Sequence, residues 1–352
     1  MNTRRTRPPG VVEALIAAAL FGAATPFASR LAGDTASGVL AGLLYLGSGI
    51  ALGVSIFVWP LGHEASIVRR DVPWLAGAIL FGGGLGPLLL VVGLRTTSSA
   101  TASLLLNLEV VLTALVAWVF FHEGFNRRVG IGLSAILAGG IIASWQSHGG
   151  FGFSTGSLAI AGACACWAID NNLTQRVSSA DPRQIATLKG LLAGSANLAI
   201  GLGVGGSLPG GFNLFAAMLI GAFGYGLSLM LFVTALRHLG SARTGAYFGV
   251  APFVGVIVAI VVFGESITVR TVPAGLFMMF GVWLHHSEDH DHEHQHELLV
   301  HAHLHTHDDD QHGHDHTERV LANGAHSHEH RHAPVVHRHA HRPDIHHRHA
   351  HQ

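Results

Sequence analysis

The chain has 352 residues, 49% of them hydrophobic and only 12% charged, with 45 glycines and a mean hydropathy of +0.42. A soluble domain carries about 25% charged residues, so this composition excludes a water-soluble globular body. The formal net charge of −1 hides two unlike parts: residues up to Leu284 hold 15 Arg/Lys against 9 Asp/Glu, whereas the last 68 residues hold 12 acids and 24 of the 28 histidines. Neither balance points to nucleic acid.

Residues 1–10 form a basic cytoplasmic N-terminus, with Arg4, Arg5 and Arg7 ahead of an apolar run that starts at Val11. That run has no small-residue cleavage region and is followed by many like it, so it reads as a retained first span and not a signal peptide. Apolar stretches of about 20 residues bounded by charge or turn residues lie near 11–31, 38–60, 73–94, 98–121, 129–146, 156–175, 184–204, 213–236, 242–263 and 269–285. The fold expected is an all-α membrane protein of ten transmembrane helices, with no room for a soluble catalytic domain. Its tail, 286–352, is expected to be disordered. With the N-terminus inside, eleven arginines fall in cytoplasmic segments and Arg30, Arg95 and Arg270 fall outside. The positive-inside rule therefore places both termini in the cytoplasm, in a multi-pass protein of the cytoplasmic (inner) membrane. Cys164 and Cys166 stand two apart on nearly opposite helix faces, which suits neither a disulfide nor a CxxC site.

The chain repeats itself at an offset of 142 residues. Phe81-Gly82 aligns with Phe223-Gly224, Leu94-Arg95 with Leu236-Arg237, Ser99-Ala100 with Ser241-Ala242, Phe121 with Phe263, Glu123 with Glu265, Arg128 with Arg270 and Gly139 with Gly281. About seventeen of some sixty ungapped positions match. The repeats occupy 11–146 and 156–285. Each holds five spans, an odd number, so the second must enter the membrane inverted. Inverted repeats are the architecture of secondary transporters that bind substrate near the midplane, where the repeats meet.

These residues resemble the drug/metabolite transporter superfamily, and specifically its EamA-type members with two five-helix repeats. The resemblance rests on Leu94-Arg95, Ser99-Ala100, Phe121-His122-Glu123, Arg128 and Gly139, matched in the second repeat by Leu236-Arg237, Ser241-Ala242, Phe263-Gly264-Glu265, Arg270 and Gly281. Phe21-Gly22 with Pro26 looks like a variant of the family's Trp-Gly opening. Where family members often read Leu-Glu-Pro in the fourth span, this chain has Leu108-Glu109-Val110, and its second repeat keeps Pro252 without the acid. The resemblance implies a non-enzymatic transporter that exports small organic metabolites and needs no cofactor. A divalent-metal exporter (Ni, Co or Zn) and a metal-buffering membrane protein stay open as alternatives. The partners expected are a small-molecule substrate, the lipid bilayer, metal ions at the tail and a second copy in a homodimer.

Ionisable groups deep in a membrane are costly and mark function by default. Glu109 stands eleven residues into the fourth span, near mid-bilayer at 1.5 Å per residue. It is a candidate proton carrier, or an acid bonded across helices. Asn107 is about 200° round the helix from it and faces elsewhere. In the sixth and seventh spans Asp170 and Lys189 stand six residues either side of Arg176 and Arg183, at matching depth. They are expected to form an ion pair, as a staple between helices or as a substrate contact. Lys189 is the only lysine in the chain. Asn171, next to Asp170, and Asn197, eight residues after Lys189, extend a small-and-polar stripe that lines a cavity or joins helices. The glycine clusters at Gly82-Gly83-Gly84 and at Gly224 and Gly226 permit close packing and bending. No Gly-Lys-Ser/Thr follows them, so a phosphate loop is excluded. Glu123 and Glu265 end their spans and are expected to bond neighbouring loop groups.

The tail repeats His-x-His at His290, His292, His294 and His296, at His301, His303, His305 and His307, and at His312, His314 and His316. Imidazoles interspersed with carboxylates suit Zn²⁺, Ni²⁺, Co²⁺ or Cu²⁺. The body's four histidines, His63, His122, His148 and His238, lie at span ends or in loops, so metal binding by the tail does not by itself make metal the cargo.

Overall fold

The computed structural model describes residues 10–58, 65–121, 127–144 and 154–286, and four stretches of the tail, 291–295, 299–305, 326–332 and 336–340. Its body is helical: α1 Val11–Ala32, α2 Ser37–Val58, α3 Arg69–Leu94, α4 Ser99–Phe120, α5 Arg127–Ser144, α6 Thr155–Val177, α7 Pro182–Gly203, α8 Gly211–Ser241, α9 Arg243–Val261 and α10 Thr271–His286. Among the described residues seven of these, α1 to α4 and α7 to α9, are long and apolar enough to cross a membrane. The apolar parts of α5 and α10 are shorter, Gly130–Ala143 and Thr271–Leu284. Although α6 has 23 residues, Asp170, Asn171, Asn172 and Arg176 lower its hydropathy.

The distribution of polarity is that of a protein solvated by lipid. Lys189 has 0% of its surface exposed while Phe57 has 88%, the reverse of the sorting that water imposes. The described backbone is almost wholly helical, as an apolar solvent requires, because helices satisfy their own N–H and C=O groups.

The two repeats interlock about a pseudo-twofold relation. α1 packs on α8 and α9 of the second repeat, and the equivalent α6 packs on α3 and α4 of the first. α2 pairs with α7, α4 with α9, and α5 with α10, each helix meeting its own counterpart. The α2–α7 contact is so close that a side chain at Gly190 would strike the backbone of Gly49. Small residues bring helices together in this way where lipid gives no hydrophobic drive for association.

The repeat also governs where the helices break. α3 contains a π-helical segment at Ile79–Leu85 and α8 contains one at Gly221–Leu227, 142 residues later at both ends. α4 is interrupted at Leu106-Asn107, and α9 at Gly249-Val250, one residue beyond the equivalent positions. Gly240, with φ 75°, ends the continuous helical path of α8; its repeat partner is Ser98, which caps α4 by accepting a hydrogen bond from the Thr101 N–H.

In the tail four stretches are described, each as a short strand. Strands β1 Asp291–Gln295 and β4 Val336–Ala340 pair antiparallel, as do β2 Leu299–His305 and β3 His326–His332. The physical reason is the period of the sequence, since an alternating His-x-His pattern matches the two-residue repeat of a strand. His292, His294, His301, His303 and His305 fall in these strands, whereas His290, His296, His307, His312, His314 and His316 lie outside the described residues.

Candidate functional site

The site begins with the π-helical segment of α3. A π turn shifts the i→i−4 pattern and leaves carbonyl oxygens for outside donors. Here those donors are side chains from three helices: Tyr45 Oη donates to Gly82 O at 2.7 Å, Trp167 Nε1 to the same oxygen at 3.0 Å, and Asn197 Nδ2 to Gly83 O and Gly84 O at 3.1 Å each. A side chain at Gly82 would fall onto the Asp170 carboxylate. Glycine is therefore needed there for close approach.

Asp170, held against that turn, receives Lys189 Nζ at 2.6 Å and 2.7 Å on its two oxygens. Thr174 Oγ1 donates to Asp170 Oδ1 at 2.8 Å and also lies 3.3 Å from the ammonium. All three residues are buried. The pair is thus compensated and hydrogen-bonded, as two charges removed from water must be.

Glu109 lies in the first turn after the α4 break and is buried with 8% exposure. Asn171 Nδ2 donates to Glu109 Oε1 at 2.7 Å and also reaches Thr113 Oγ1 at 3.2 Å. Among the described residues no arginine, lysine or histidine forms an ion pair with Glu109. Asn172 Nδ2 bonds the backbone carbonyls of Thr113 and Ala168, fastening α6 to α4.

A cavity opens between these groups. Phe21, Tyr45 and Glu109 of the first repeat line it, with Trp167, Asp170, Asn171, Gly224, Tyr225, Ser228, Leu229, Phe232 and Phe248 of the second. Its aromatic rings form one connected cluster. Phe21 meets Trp167 and Tyr225 edge-on at 5.6 Å and Phe248 at 5.4 Å, Tyr45 meets Tyr225 at 5.6 Å, and Phe232 meets Phe248 at 4.9 Å.

Of the residues singled out from sequence, Glu109, Asp170 and Asn171 line the cavity together. Lys189 and Asn197 do not line it; they brace its wall through Asp170 and the α3 carbonyls. Asn107 turns away, its Nδ2 3.6 Å from Met278 Sδ of α10. Glu265 accepts from the Ser99 and Ala100 N–H groups at 3.3 and 3.0 Å and so caps α4; Glu123 lies outside the described residues. Tyr45, Trp167 and Tyr225 were not read as site residues. The available signal was their position, because tryptophan and tyrosine usually gather at membrane interfaces and these three are mid-span. Arg237, known from the sequence only as the repeat partner of Arg95, is buried, and its guanidinium donates to Ser178 O at 2.9 Å and Ala180 O at 2.8 Å, closing the carboxyl end of α6.

The sequence profile described as the EamA-like transporter family matches residues 8–145 and 154–285. An uncharacterized transporter of Methanothermobacter thermautotrophicus is 28% identical over 232 residues, covering 63% of this chain and 66% of the relative. The uncharacterized transporter YyaM of Bacillus subtilis is 22% identical over 255 residues, covering 67% and 80%. A solved structure titled only as the crystal structure of a protein superposes with a TM-score of 0.62 at 18% identity, covering 78% of this chain and 95% of that one, and attests the fold.

Proposed function

The chain belongs to the EamA-like transporter family, and we propose that it is a ten-span secondary transporter exporting small organic metabolites across the cytoplasmic membrane. The observation that carries this reading is the cavity whose walls come from both repeats and whose buried carboxyl, Glu109, has no cationic partner among the described residues. A site at the junction of inverted repeats is reached from either side as one repeat rocks against the other. The arginine distribution supports an orientation with both termini in the cytoplasm.

In this reading Glu109 takes a proton on one side and yields it on the other, so the pH gradient drives export. Purified protein reconstituted into proteoliposomes provides the test. Glu109→Gln removes the titrating group but keeps the shape and a hydrogen-bonding amide, so pH-gradient-driven flux should vanish while the protein stays folded in detergent. Unchanged flux in this variant would refute the role.

The tail's role is proposed to be capture of Zn²⁺, Ni²⁺, Co²⁺ or Cu²⁺. It is supported by the pairing of β2 with β3, which sets His301 opposite His330, His303 opposite His328 and His305 opposite His326 in register. A chain truncated after Leu284 should transport organic substrate as before and lose only the effect of added metal. Metal flux through the full-length protein that disappears on truncation would instead make metal the cargo.

A further inference from the structure

If the cavity is the transport site proposed above, its charge also selects the cargo. Asp170 is neutralised by Lys189, which holds both carboxylate oxygens and has no exposed surface. Arg237 spends its guanidinium on the carbonyls of Ser178 and Ala180. Glu109 is then the acid of the wall to which no cation is bonded among the described residues, and its ionised form is negative. Phe21, Trp167, Tyr225, Phe232 and Phe248 surround the same space, and aromatic faces present negative potential that attracts cations. An anionic substrate would meet a carboxylate and π faces of its own sign.

A second, independent feature concerns Tyr225. This residue lines the cavity with 4% exposure, and its hydroxyl has no hydrogen-bond partner among the described residues. Buried hydroxyls are almost always satisfied, so an orphan in a cavity wall points to a ligand that completes it. The phenol oxygen can accept from an N–H, as the Glu109 carboxylate can.

We propose that the cavity binds a protonated amine carried on an apolar or aromatic body, with the ammonium hydrogens shared between Glu109 and Tyr225 and the hydrocarbon part among Phe21, Phe232 and Phe248. The test is calorimetric binding to the full-length protein in detergent with three probes of similar body: 2-phenylethylamine as the cation, 2-phenylethanol as the neutral analogue and 3-phenylpropionate as the anion. The cation should bind tightest. Glu109→Gln should weaken it by about tenfold or more, and Tyr225→Phe and Phe248→Leu by about threefold each, with the neutral probe unmoved by Glu109→Gln. Thermal unfolding of each variant separates a lost contact from a lost fold, and Glu109→Asp, which keeps the charge, should retain cation preference. Stronger binding of the anion or the neutral probe, cation binding indifferent to Glu109→Gln, or no binding of any probe would each overturn the assignment. Flux is measured separately: cation-selective binding without flux removes the transport reading and leaves this site, whereas flux of anions alone does the reverse.

Discussion

Lys189 is the largest fully buried side chain among the described residues, and its ammonium is held by three oxygens, two from Asp170 and one from Thr174. Removing one member of a buried ion pair leaves the other uncompensated at a cost of about 3–5 kcal/mol, whereas replacing both by apolar groups is often neutral. Lys189→Met should accordingly lower the unfolding temperature in detergent sharply, and Lys189→Met combined with Asp170→Leu should regain most of the loss. If the double variant is no better than the single, the pair is not the staple the geometry describes. Flux in the stabilised double variant then reports whether Asp170, which lines the cavity, also meets the substrate. The pair was legible in the sequence because a lone lysine and an aspartate stood at matching depths in consecutive spans. Tyr45 and Trp167 were not, since their partner is Gly82 O, a carbonyl freed only when α3 winds into a π turn.

The broken helices place these residues. Both repeats interrupt their third span with a π segment, 142 residues apart, and their fourth with a break one residue off that offset, so the irregularities belong to the repeat as much as the helices do. Glycine clusters at 82–84 and at 224 and 226 announced bending and close packing. The kind of bend was hidden, because it depends on donors from α2, α6 and α7 that one span cannot reveal. Glu265 works at the same scale, where two backbone N–H groups at the start of α4 end on its carboxylate. Capping contacts of this kind contribute about 0.5–2 kcal/mol. Glu265→Ala should therefore lower the unfolding temperature by a few degrees and leave probe binding in the cavity intact, measured by thermal scans and calorimetry; an unchanged melt would mean that the cap carries no stability.

At the scale of the whole molecule, the 142-residue offset was enough to read a two-repeat body from the sequence, and the two stretches of chain that match the family, 8–145 and 154–285, pack across each other, α1 on α8 and α9 and α6 on α3 and α4. The aromatic wall was illegible because its members come from five helices with no common sequence spacing. In the tail the two-residue His-x-His period is compatible with a strand while the composition argues for disorder. The central claim is that the cavity between the repeats opens to each side of the membrane in turn. The most direct measurement places a single cysteine in its wall, Leu229→Cys with Cys164 and Cys166 replaced by serine, and challenges it with a membrane-impermeant thiol reagent in right-side-out and in inside-out vesicles. Labelling from both sides, slowed in each case by substrate, is the result this account predicts; labelling from one side only, or from neither, would contradict it.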